Sequence, residues 1–215
     1  MLPLLLVAHL CISAPLSADD RLIEAVLGVQ RKYAAVESVS AAFQQTYRAP
    51  GIEQVESGTL IMRKPGLMRW EYTVPEKKLF VADGRKTWLY TPADRQVMVR
   101  EFTSADLRNT PLRFLLGQGD ILKSYAPAWE RDFSAKSTDS LLVRLVPRVP
   151  DQDYRFIVIE CSATSFELRR IILREVTDNT SEFLFSGMNL NVRTDRKQFE
   201  FKPPKGVEII ELDEK

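Results

Sequence analysis

The sequence predicts an α+β protein dominated by one strongly curved antiparallel β-sheet, with helices closing over it. Three observations carry this. A helical period appears once, near the N-terminus. From Ser40 onward, short runs alternating with period two and separated by turn residues fill most of the chain. One short apolar helix interrupts them at mid-chain.

The chain opens MLPLLLVAHLCISAPLSADD. An apolar run followed by small and polar residues has the shape of a secretory signal peptide, although no basic residue precedes the run. Residues 1–18 are assigned to that signal and 19–215 to a single domain. The run is shorter than the roughly 20 residues a spanning helix needs. Cys11 follows Ala8-His9-Leu10, a poor lipid-attachment context, so the product is expected to be soluble and unanchored.

Next, LIEAVLGVQRKYAAV sets Leu22, Val26, Val29, Tyr33 and Val36 on one helical face, with Asp19 and Asp20 at its start. Six short runs follow: SAAFQQTYRA, SGTLIMRK, GLMRWEYT, KLFVAD, KTWLYT and QVMVREF. Turn residues such as Lys64-Pro65-Gly66 and Asp83-Gly84-Arg85 punctuate them. Asn109 to Gly119, NTPLRFLLGQG, is the interruption. Asn109 or Thr110 caps it, Pro111 suits its first turn and Gly117 ends it. Five further runs bring the count to about eleven strands, and QFEFKPPKGVEIIEL closes the chain.

Composition excludes several function classes. The chain's one His, His9, lies in the signal, so the processed domain holds no His. Ser-His-Asp and Cys-His catalysis and His-containing zinc sites are thereby removed. Cys161 alone makes no internal disulfide. A net charge of +1 argues against a nucleic-acid binder. Asp and Glu are scattered, with no pair at catalytic spacing, so no enzyme, metal or cofactor is expected.

Alternation suggests instead a soft apolar surface. Met68, Trp70 and Tyr72 share one strand face, Leu60 and Met62 another, and Trp88 and Tyr90 a third. Methionine and aromatic side chains suit adaptable binding surfaces, and they serve equally well as plain core. The short helix is too small to hold itself together in water. Laying Leu112, Leu115 and Leu116 on the sheet gives about 1.5–3 kcal/mol each when fully buried. An acyl chain gains about 0.8 kcal/mol per buried CH₂ and is a matched competitor. The reading is a lid over a greasy concave sheet; the plain alternative is a connecting helix.

The ordered runs AAFQQ (41–45), SGTLIMRKPGLMRWEY (57–72), VADGRKTWLYTP (81–92), NTP (109–111) and FEFKPPKGVEI (199–209) resemble the periplasmic outer-membrane lipoprotein carrier family, LolA. The resemblance implies an incomplete antiparallel barrel whose helices form a lid over a cavity for acyl chains. It implies triacylated lipoproteins as cargo, loading by a LolCDE-type inner-membrane ABC transporter, delivery to a LolB-type receptor, and a periplasmic monomer without cofactor. The family's latch is an Arg before the Pro of a KRP-like motif, bonded to lid-helix carbonyls. Here Lys64 stands in that place, preceded by Arg63. Lys64 shares its strand face with Leu60 and Met62, which points it inward. The cavity and lid residues implied are Tyr33, Val39, Leu60, Met62, Met68, Trp70, Tyr72, Trp88, Tyr90, Leu112, Leu115 and Leu116. The alternative function is a lipid-sensing or glycolipid-binding module on the same half-barrel.

Overall fold

Helix α1 (Ala18–Ala34) forms where the helical period predicts it, and buries Leu22, Val26, Val29 and Tyr33. Ser17 caps it: its hydroxyl accepts from the Asp20 amide while the Asp20 carboxylate takes the Ser17 amide. The cap and first turn therefore use Ser17 and Ala18, both of which the sequence reading assigns to the signal. The computed structural model describes residues 17–103 and 119–212. The short helix at 109–119, with Leu112, Leu115 and Leu116, lies outside the described residues apart from Gly119.

The period-two runs become strands β1 (Ser38–Ala49), β2 (Ile52–Arg63), β3 (Leu67–Val74), β4 (Lys78–Ala82), β5 (Lys86–Thr91) and β6 (Gln96–Glu101). A four-residue helix α2 (Ile121–Ser124) leads into β7 (Tyr125–Trp129), β8 (Ser140–Pro147), β9 (Tyr154–Ser162), β10 (Leu168–Glu175) and β11 (Thr180–Leu190), and β12 (Glu208–Glu211) comes last. All belong to one sheet in the order β12-β6-β5-β4-β3-β2-β1-β11-β10-β9-β8-β7. Among the described residues the outer strands β12 and β7 do not pair, so the curved sheet stays an open half-barrel.

One strand exceeds expectation. β12 runs parallel to β6, so among the described residues the sheet has twelve strands and is not wholly antiparallel. The cause is the route of the chain. Residues 191–207 cross the outer face as a strap, and a long crossing brings the chain to the edge in β6's own direction.

The core lies between α1 and the inner face of the sheet. It joins Val26, Val29 and Tyr33 to Val39, Phe43, Met62, Trp70, Ile159 and Ile171. Gly28 lets this seat close: a Cβ there would stand 2.5 Å from the Phe166 ring. On the outer face, the loop after β7 is tied down by the buried pair Arg170–Glu160 (2.6 Å). Arg170 donates to the Ser134 carbonyl (2.7 Å), and Glu160 accepts from the Lys136 amide (2.8 Å). No described helix is long and apolar enough to cross a membrane.

Candidate functional site

Register decides which side chains meet. Leu60 stands opposite Trp70, Trp70 opposite Phe80, and Phe80 opposite Leu89. Val39 faces Met62, which faces Met68. Paired residues project from the same side, so these side chains form one continuous apolar strip on the inner face. Phe43 anchors its centre, edge-on to Trp70 (4.7 Å between ring centroids) and to Tyr72 (5.0 Å). Phe183 meets Trp70 from the other flank at 6.1 Å. Trp70 is only 3% exposed, whereas Tyr72 and Phe80 are half-buried.

The strip has a lysine at each end, engaged differently. At one rim, Lys64 Nζ donates to the carbonyls of Tyr33 (3.1 Å) and Ala34 (2.8 Å). These belong to the last turn of α1, where carbonyls lack helical partners and the dipole favours a cation. At the other rim Lys78 pairs with Glu56, itself buried, and lies over the Tyr72 ring at 5.0 Å. Tyr72 donates to Gln45 at 3.2 Å, and burial pushes its hydroxyl up to about 12.

The same turn of α1 is held from behind. The Tyr33 hydroxyl donates to Met188 Sδ (3.1 Å) and accepts from the Leu168 amide (3.0 Å). Tyr33 and Val39 are thus core residues at the root of the helix, and burial raises the Tyr33 hydroxyl well above its ordinary value. Lys64 bonds to the leading helix α1; the mid-chain helix, expected to be the lid, is outside the described residues.

Trp88 and Tyr90 are not on this strip. Trp88 stands opposite Val81, which stands opposite Arg69, and all three face outward. There Trp88 and Tyr90 pack on Phe201 of the strap, each 5.8 Å away. Leu89, between them in sequence, is the β5 residue that faces inward. Sequence reasoning passed over Phe43, Phe80 and Phe183. The first two were legible from alternation in AAFQQ and KLFVAD, which places them with Ala41 and Ala82.

A groove of about 560 Å³ on the outer face is the competing site. Its walls include Arg69, Glu71, Lys197 and Gln198. It is polar, and Arg69 is already engaged by Glu71 (2.6 Å) and the Gln198 carbonyl (3.3 Å). The inner strip, with its cation-latched helix, is the stronger candidate.

Residues 34–202 match the family described as outer membrane lipoprotein carrier protein LolA. The chain belongs to this family. An outer-membrane lipoprotein carrier protein of Chromobacterium violaceum is 31% identical over 177 residues, covering 82% of each chain. A protein of the same description from Pseudoalteromonas translucida is 30% identical over 210 residues, covering 96% of this chain and 94% of its own. Among solved structures, an uncharacterized conserved protein from Thermus thermophilus aligns with TM-score 0.54. The alignment is 11% identical and covers 88% of this chain and 99% of that one, so it is a likeness of fold. In LolA terms, the matched segment takes in the final residue of α1, Ala34, the inner strip and the strap as far as Lys202.

Proposed function

We propose that this chain is a periplasmic lipoprotein carrier, which holds the acyl chains of its cargo against the inner face of the half-barrel. Membership of the LolA family supports the carrier role. The observation that carries the mechanism is the pairing of an apolar, aromatic strip with a helix end held by Lys64. The strip offers soft aliphatic and aromatic surface to acyl chains, and the chemistry is association alone.

Bound chains displace side-chain contacts at a gain of about 0.8 kcal/mol per buried CH₂. The contacts they break include the two Lys64 bonds, and a hydrogen bond from a charged donor is worth about 1.5–3 kcal/mol. Reforming those bonds favours the empty state and drives release. Export by the N-terminal segment, loading by an ABC transporter of the LolCDE type and delivery to a LolB-type receptor complete the route.

The experiment incubates the processed protein with spheroplasts and identifies what leaves the membrane in soluble complex. Triacylated lipoproteins bound one to one are the expected product; lipid without protein would move the cargo to a glycolipid or similar amphiphile. Lys64→Leu is expected to take up lipoprotein and to release it to a receptor several-fold more slowly. Unchanged transfer would remove Lys64 from the mechanism.

A further inference from the structure

Arg63 and Lys64 are consecutive, and their side chains leave opposite faces of the sheet. Lys64 goes inward to the last turn of α1. Arg63 goes outward to the strap: its guanidinium donates to Thr194 Oγ1 (3.3 Å) and lies 5.6 Å from the centre of the fully buried Phe199 ring. The backbone beside them is joined to the segment that follows α1. The Lys64 amide donates to the Glu37 carbonyl at 3.0 Å, just past the end of α1.

The segment after α1 is also stitched to the start of the strap. The Glu37 amide donates to Asn191 Oδ1 (2.8 Å), the Asn191 amide to the Ser38 carbonyl (2.7 Å), and the Ser38 hydroxyl to the Val192 carbonyl (2.6 Å). Asn191 holds a left-handed backbone, φ +56°, to make this corner. The end of α1 and the root of the strap therefore share one hydrogen-bonded junction, with a cation reaching from it to each side.

We infer that Arg63 is a positioning residue for Lys64, and that this pair couples the seating of α1 on the inner face to the seating of the strap on the outer face. The inference rests on the carrier reading for its purpose: acyl chains that lift the end of α1 also loosen the strap, so the outer face differs between loaded and empty carrier. The strap ends in β12, four residues on the sheet edge, the kind of element that opens locally at low cost. Coupling of this kind is reciprocal.

Hydrogen exchange by mass spectrometry on the unliganded full domain tests it with two variants. Arg63→Ala removes no hydrogen bond to α1 and is expected to raise exchange at least threefold in residues 31–37. Lys64→Ala removes no hydrogen bond to the strap and is expected to raise exchange at least threefold in residues 191–201. Exchange in β8 and β9 stays at the wild-type rate, which separates coupling from general destabilisation. If each variant loosens only the face its own side chain touches, the coupling is overturned. A parallel titration with a synthetic triacylated cysteinyl peptide tests the carrier reading: without binding by wild type, that reading fails whatever the exchange result, and reciprocal exchange without binding leaves the coupling intact and strips it of its cargo.

Discussion

At the residue scale, burial governs chemistry. Cys161 is fully buried on the inner face of β9, and burial pushes its thiol from near 9 up to about 12. The buried neutral thiol is a core side chain and not a nucleophile. Native protein at pH 8 is expected to resist iodoacetamide for hours and to be labelled at once in denaturant, as intact mass reads directly. Because the folded value lies above the unfolded one, the thiol's contribution to stability is complete below about pH 9 and is lost as pH rises toward 12. Fast labelling of the native protein would show that β9 opens locally. Lys64 shows the other residue-scale lesson: alternation with Leu60 and Met62 assigned its direction from sequence, and the helix carbonyls met it there.

At the element scale, the seat of α1 is set by shape as much as by hydrophobicity. Phe166 holds a left-handed backbone, φ +55°, unusual for a bulky side chain, and its ring fills the notch at Gly28. Helix propensity alone says that Gly28→Ala stabilises by about 1 kcal/mol. The seat says the reverse: a loss of about 1–3 kcal/mol from overpacking. Urea unfolding decides the sign. Adding Phe166→Leu to Gly28→Ala is expected to recover most of the loss, and a stabilised single variant would mean that α1 sits free of the β9–β10 turn. Tyr33→Phe would leave the buried Leu168 amide without its acceptor, at about 1–3 kcal/mol; an unchanged midpoint would count against the Tyr33 anchor.

At the scale of the whole molecule, the sheet has two apolar faces with different covers. α1 covers part of the inner one; the strap covers part of the outer one, burying Phe199. Tryptophans on the two faces report on this division. In single-tryptophan variants, a bromine-labelled acyl probe is expected to quench Trp70 strongly and to leave Trp88 unaffected. Equal quenching of both would place acyl chains on the outer face and reverse the assignment of the site.

The sequence by itself determined the helix, eleven strands, the family and the inward direction of Lys64, because each rests on local periodicity or on a run of matched residues. Only the tertiary structure decided the face of Trp88 and Tyr90. In KTWLYT, Trp88 and Tyr90 alternate with Leu89, so both sides of β5 present large apolar groups and period two does not rank them. The strap broke the tie by bringing Phe201 from 111 residues beyond Tyr90 to the outer side. It also created β12, whose four residues are too few for a pattern and whose partner β6 lies a long crossing away. Alternation sorts side chains between two faces; which face becomes the core depends on what later chain arrives to cover the other.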